Sequence, residues 1–307
     1  MKKASIITVN FNQQQTTEAL LESIISTGAS YSCEILVVDN GSKFNAVPEW
    51  QVHYPDVIFI RSEHNLGFAG GNNLGIKEAK GEYLFFINND TELTPGLIER
   101  MLKTMDERPQ IGMLSPKIHY FSEPQLIQYI GFTPMNFYTG RNRCLGWKEQ
   151  DSGQYDGPAR PTAYIHGAAM MVRRTAIEKA GVMAENFFLY YEELDWCERI
   201  RKAGFEIWVD PGGLIFHKES ISVGNSSALK EYFMNRNRIL FVRKHAKPFQ
   251  KVIFTIYFSF IVFPRNLFSY LSKKRTDLVP YLLKAIKWNM SHSTESKDTG
   301  YPVNTIK

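Results

Sequence analysis

GEYLFFINNDTEL, residues 81–93, decides how the chain is read. The run from Tyr83 to Ile87 is apolar or aromatic with no polar alternation, the mark of a strand covered on both faces. It then ends in Asn88, Asn89 and Asp90, side chains suited to turns or ligands. Working outward, similar runs recur as SIITV (5–9), CEILVVD (33–39), VIFIR (57–61) and IGMLSPK (111–117). Helical patterns lie between several of them, at 16–25, 71–80 and 95–107, the last with Thr94 as expected N-cap and Pro95 at the first helical position. Such an order gives an α/β fold, a doubly wound, Rossmann-like and mainly parallel sheet with helices on both faces.

Beyond it, residues 118–165 are rich in Gly, Pro, Gln and aromatics without a sustained period, and are expected to form long loops. GAAMMVRR (167–174) reads as a strand entering a helix that ends near Ala180-Gly181. EELDWCERIRKAGF (192–205) reads as a helix stopped by Gly204, and EIWVD (206–210) and GLIFH (213–217) as two strands. In an open parallel sheet, ligands bind beyond the carboxyl ends of the strands. Asp39 and Asn40, Asn88 to Asp90, and His217 all fall at such ends. Turn formation accounts for any one of them alone, but their coincidence points to a site. In NLGFAGGNNLGI (65–76), Gly70 and Gly71 precede a helix pattern and would let backbone approach an anion or sugar. The stretch is neither GxGxxG nor GxxxxGK[ST], which disfavours a dinucleotide fold motif and a P-loop.

With 307 residues, 44% of them hydrophobic, the chain suffices for one large core with or without an appendage. Three scattered cysteines without a CxxC pair argue for a reducing compartment and against disulfides or zinc. The start MKKASIITVNFN lacks a secretory pattern, so a cytoplasmic location is expected. Charge is divided: up to Ser227 there are 21 Lys and Arg against 27 Asp and Glu, and from Ala228 onward 15 against 4. The expected organisation is therefore a sheet domain over 1–227, a basic helical region over 228–290 and a polar disordered tail over 291–307. The basic part suits an anionic surface; no nucleic-acid motif accompanies it. Residues 229–275 mix aromatics with eleven Lys and Arg, and their longest uncharged apolar run, 252–264, has 13 residues. That is short of the roughly 20 needed to span a bilayer, so helices lying at the membrane surface are expected.

SIITVNFN, LVVDNGS, NLGFAGGNNLGI, FINNDTEL, GAAMMVRR and YYEELDWCERIRKAGF, in this order and spacing, resemble the inverting glycosyltransferases of family 2 with the GT-A fold. Within that family the chain is most similar to the bacterial rhamnosyltransferase subgroup, over about residues 4–222. The resemblance implies a nucleotide-sugar site formed by Asn10, Asp39, Asn40, Asn65, Gly70, Asn72, Asn88, Asn89 and Asp90. Asp39 would contact the base with Asn40 beside it. NND stands at the family's DxD motif, so Asp90 would hold a divalent cation, Mn²⁺ or Mg²⁺, on the donor's diphosphate, with Asn88 near the ribose or metal. His217 stands where some members supply a further metal ligand. Glu193 would be the catalytic base, and His166, Gly167, Glu192 and Asp195 would belong to the acceptor side or an active-site loop. Two departures stand out: Asn88 replaces an Asp, and Glu193 the commoner Asp.

The implied function is metal-dependent inverting transfer from dTDP-rhamnose or a UDP-hexose to a glycan or lipid-linked acceptor in bacterial surface polysaccharide assembly. The enzyme would be peripheral on the inner face of the cell membrane. An inactive sugar-nucleotide or glycan-binding protein on the same scaffold is the alternative. A nucleotidyltransferase is disfavoured because TVNFNQQQ stands where a glycine-rich basic loop would follow the first strand. Trp196 and Trp208 are expected in the core, and Glu192, Asp195 and Arg199 share a helix face where they could simply form a charged surface.

Overall fold

A computed structural model describes residues 3–29, 33–218 and 227–302. The remainder, including 219–222 of the resemblance and 303–307 of the expected tail, lies outside the described residues. Four strands, β1 (Ala4–Asn10), β2 (Cys33–Asn40), β3 (Val57–Ser62) and β4 (Tyr83–Ile87), form where the apolar runs predict them. They are followed by β5 (Thr91–Leu93), β6 (Ile111–Tyr120), β7 (Ile127–Tyr129), β8 (Arg160–Pro161), β9 (Ala169–Arg173) and β10 (Glu206–His217). The sheet order is β3-β2-β1-β4-β9-β6-β10-β5, with β7 on β6 and β8 on β10. β3, β2, β1 and β4 are mutually parallel, as are β6 and β10, whereas β9 runs antiparallel between the two groups and β5 antiparallel at the edge. Because β9 is reversed, its entry residues 166–168 arrive at the edge where β4 ends, with Ala169 paired to Ile87.

Successive side chains on a strand point to opposite faces, so an unalternated apolar run fills two cores at once. On one face Ile6, Ile35 and Phe85 pack with Leu20 and Ile24 of α1 (Gln14–Ser26), Trp50 of α2 (Val47–His53) and Met101 of α4 (Leu97–Glu107). On the other, Ile7, Leu36 and Phe86 pack with Ile76 of α3 (Gly67–Glu78), Ile177 of α5 (Arg174–Ala180), Trp196 of α6 (Glu192–Lys202) and Phe241 of α7 (Ala228–His245).

Several local expectations change. The short helix α2 has no counterpart in the sequence reading. α4 starts at Leu97 with Gly96 as its cap at φ 75°, while the Thr94 hydroxyl, expected to cap it, donates to Leu214 O at 2.6 Å. EIWVD and GLIFH are one strand with a register shift between Asp210 and Leu214, where Arg100 reaches the Asp210 carboxylate at 2.9 Å. α3 begins at Gly67, before the expected start. A Cβ on its Gly71 would lie 2.8 Å from Val9 Cγ1, and one on Gly75 2.5 Å from Ile7 Cγ2. These glycines let helix and sheet approach closely.

The C-terminal helices α7, α8 (Pro248–Ser272) and α9 (Val279–Ser291) share a further cluster of Val242, Phe254, Phe258, Val262, Leu278 and Leu282. α8 is one continuous helix of 25 residues, long and apolar enough to cross a membrane by length and composition. The sequence count stopped at Lys251 and Arg265, but a helix carries such residues along its flank while its apolar stripe continues. A π-turn at Phe258–Val262 precedes Pro264 and accommodates its missing N–H. The described part of the expected disordered tail is instead held in place. Trp288 Nε1 donates to Asp298 O at 3.0 Å, Tyr232 Oη donates to Thr299 O at 2.8 Å, and Tyr301 packs on the Tyr232 ring.

Candidate active site

A cleft of about 370 Å³ opens at the carboxyl edge of the sheet. Of the residues expected there, Asn40, Asn65, Asn72, Asn88, Asn89, Asp90, His166, Gly167, Glu192, Glu193 and His217 line it. Asn10 lines a smaller hollow of about 170 Å³ that meets the cleft at Gln13. Asp39, Gly70 and Asp195 line neither.

The end of β4 and the end of β10 bring Asp90 and His217 together, with Asp90 Oδ1 3.1 Å from His217 Nε2. Both side chains are buried, and neither of these atoms has a hydrogen-bond partner. The other ring nitrogen, Nδ1, lies 2.7 Å from Gln128 Oε1 on β7. An amide oxygen accepts, so Nδ1 donates to it, and Nε2 faces a carboxylate oxygen. A ring nitrogen and a carboxylate oxygen so placed are donors that fit a divalent metal. No group of three or more His, Cys, Asp or Glu able to hold a metal occurs among the described residues. His166 faces His217 with ring centroids 5.9 Å apart. Its Nδ1 accepts from the Ala168 N–H at 3.1 Å, and burial with His217 beside it lowers its pKa to about 3, so it is neutral.

The acids stand at the N-terminus of α6, after a loop whose Phe188, Tyr190 and Tyr191 have φ of 63°, 70° and 74°. Asn237 of α7 holds that loop, donating at 2.8 Å to the carbonyls of Phe187, Leu189 and Tyr190. Glu193 Oε2 is buried without a hydrogen-bond partner, and Gly167 packs beside this side chain, a Cβ there falling 3.9 Å from Glu193 Cγ. Burial raises the Glu193 pKa to about 7 against the pull of nearby backbone N–H groups. Glu192 is raised further, by burial and then by Glu193. Glu193 therefore ionises first.

Four of the expected residues make their contacts within the protein. Asn40 lines the cleft, yet its amide is engaged within the protein: Nδ2 donates to Gly67 O at 3.0 Å and Oδ1 accepts from Leu66 N–H at 3.0 Å, fixing the turn into α3. Asp39 is only 1% exposed; one oxygen accepts from Asn10 Nδ2 at 2.9 Å and the other pairs with Arg61. It joins β1 to β3 across β2 through these two partners. Gly70 sits within α3 against its own Leu66, away from the cleft. Asp195 is a buried hub, 2.7 Å from Arg199 Nε, 2.8 Å from His245 Nε2 and 3.3 Å from Lys244 Nζ. It ties α6 to α7.

The sequence reading missed Gln128, Arg61, Thr17 and Ser42. Asn89 donates to Thr17 Oγ1 at 3.0 Å, Thr17 to Asn10 Oδ1 at 3.0 Å, and Asn10 to Ser42 Oγ at 3.0 Å, a chain along the rim from the residue before Asp90 to the smaller hollow. A lone polar residue within LIQYI was the available signal for Gln128. The charge ending VIFIR, in register with the acid ending CEILVVD, was that for Arg61.

The family described as glycosyl transferase family 2 matches residues 5–181. A low-salt glycan biosynthesis hexosyltransferase of Haloferax volcanii is 29% identical over 251 residues, covering 77% of this chain and 74% of that protein. An N-acetylglucosaminyl-diphospho-decaprenol L-rhamnosyltransferase of Mycobacterium tuberculosis is 26% identical over 244 residues, covering 73% and 78%. The fold is similar to S. aureus TarS 1-349 in complex with UDP-GlcNAc, with TM-score 0.60, 16% identity and 94% and 80% of the chains covered. It is also similar to a mannosyltransferase of Pyrobaculum calidifontis in complex with GDP-Man and Mn²⁺, with TM-score 0.58, 13% identity and 94% and 87% covered.

Proposed function

Because this chain belongs to glycosyl transferase family 2, we propose that it transfers a hexosyl group, with inversion, from dTDP-rhamnose or a UDP-hexose to a lipid-linked saccharide in surface polysaccharide assembly. The observation that carries this reading is the meeting, in one cleft, of the Asp90–His217 pair and the proton-poised carboxylate of Glu193.

Asp90 and His217 would hold Mn²⁺ or Mg²⁺, with Gln128 fixing the imidazole tautomer that leaves Nε2 free. When bound, the cation neutralises the charge that develops on the departing nucleoside diphosphate. Glu193 takes the proton of the acceptor hydroxyl as that oxygen attacks the anomeric carbon opposite the leaving phosphate, which inverts the centre in one displacement. Phe68, Phe188 and Leu189 wall the cleft and limit water around that carboxylate. The Mycobacterium relative is named for a diphospho-decaprenol substrate, which suits an acceptor delivered from a membrane. The apolar outer face of α8 and its flanking cations support a peripheral position on the cytoplasmic side.

The test is nucleoside-diphosphate release from dTDP-, UDP- and GDP-sugars with Mn²⁺, Mg²⁺ or chelator, together with donor binding. Metal-dependent release from one donor is expected, falling about a hundredfold or more in Asp90→Ala. Absence of binding to every donor, or undiminished metal-dependent release by Asp90→Ala, overturns the reading.

A further inference from the structure

A second, larger cavity of about 550 Å³ lies beside the cleft. Tyr191 lines it, whereas the neighbouring Tyr190, Glu192 and Glu193 line the cleft; on α7, Lys230 and Leu229 are divided between the two in the same way. Its cations are Arg141, Lys230, Arg238, Arg265, Lys273 and Arg275, against the single carboxylate of Glu231. That carboxylate already accepts from the Tyr270 hydroxyl and the Asn235 amide. Arg275 pairs with Asp277 at 2.9 Å, while the other five cations form no ion pair among the described residues. Arg238 is 8% exposed; it donates to Thr139 O and lies over Phe254 and Phe258, but its Nε is buried without a partner. A buried guanidinium among unpaired cations is costly unless an anion joins it.

The position of α8 narrows what that anion is. One side of its C-terminal half gives Arg265, Asn266, Ser269 and Tyr270 to the cavity. Elsewhere along the same helix, Phe249, Val252, Ile256, Phe260, Phe268 and Leu271 are exposed. A ligand with several negative charges joined to a long apolar chain satisfies both features, and Tyr191, two residues before Glu193 in the chain, marks the side of the cavity nearest the cleft. We infer that the basic cavity seats the diphosphate of the acceptor, a saccharide linked through diphosphate to a polyprenyl chain that leaves along the exposed stripe of α8. This inference rests on the reading of the neighbouring cleft as the donor site.

A nucleoside diphosphate and an anionic phospholipid headgroup share the phosphate chemistry, so the test separates them. The full-length protein is titrated calorimetrically with farnesyl diphosphate, inorganic diphosphate, the donor nucleotide and phosphatidylglycerol vesicles. The cavity variant Arg265→Glu/Lys273→Glu is compared with Lys287→Glu/Lys297→Glu, which makes the same charge change at exposed positions outside the cavity. Farnesyl diphosphate is expected to bind about tenfold or more weakly to the cavity variant, and inorganic diphosphate to lose affinity with it, while the comparison variant matches wild type. In the transfer assay, the KM for a short-prenyl diphosphate-linked N-acetylglucosamine is expected to rise by about the same factor with the donor KM unmoved. Equal weakening in both variants reduces the effect to general charge and overturns the inference. So does loss of vesicle binding with farnesyl diphosphate binding retained, or loss of donor affinity with the cavity variant. Should wild type bind no donor, the proposed function fails, yet the farnesyl diphosphate titration still decides the cavity.

Discussion

A carboxyl group that burial holds at about 7, against an ordinary 4.5, binds its proton more tightly in the folded chain than in the unfolded one. At Glu193 this adds stability that is fully present below about 4.5 and is lost as pH rises through about 7. The group suited to accept a proton thus weakens the fold in the pH range where it works. Glu193→Gln is expected to abolish transfer, by about 10²-fold or more. It should also raise the melting temperature at pH 8 while leaving it near wild type at pH 5. Thermal denaturation at both values checks the second half; near-normal transfer by the variant would remove Glu193 from the base role. In wild type, kcat/KM should climb through about pH 7. The residue types of the site were readable from strand ends, because a parallel sheet sends those ends to one edge. Their partners were not: whether Asp39 meets a ligand or Arg61 depends on a neighbouring strand.

Between elements, the tie from α6 to α7 is the buried ion cluster on Asp195. Burial alone would raise this carboxyl's pKa, but His245, Arg199 and Lys244 outweigh it and hold it well below the usual range. Its stabilisation is therefore present above the unfolded value of 3.8 and lost as pH falls toward the folded one. Asp195→Asn is expected to destabilise the protein by about 3 kcal/mol at pH 7, since it leaves buried cations uncompensated. The difference should shrink below pH 3, and denaturant titration at the two pH values measures it; an equal loss at both would mean that the carboxylate charge is not what matters. The i, i+4 spacing to Arg199 was legible in the sequence, but His245 and Lys244 lie on another helix. Likewise the glycines of α3 were visible as a cluster. Only the approach of Gly71 and Gly75 to Val9 and Ile7 makes them packing residues.

For the molecule as a whole, α8 presents Phe260 and Phe268 at 74% and 73% exposure, while Phe254, Phe258 and Val262 hold the helix to its neighbours. A bilayer surface would cover the exposed side, aided by nearby cations. Phe260→Asp/Phe268→Asp is expected to cut binding to anionic vesicles by about tenfold or more at low salt, with the melting temperature unchanged because neither ring is buried. Vesicle sedimentation checks this, and undiminished binding would assign membrane contact to another surface. By itself the sequence determined the α/β class, most strand positions and the edge carrying the chemistry, because apolar runs and strand-ending polar residues are local patterns. Tertiary structure decided that β9 runs backward, that Asn40, Asp39 and Asp195 meet the partners they do, and that Gln128 backs His217. It also decided that α7 contributes Leu229 to the cleft wall. These depend on contacts between residues far apart in the chain, and no local period records which distant side chain satisfies a buried charge.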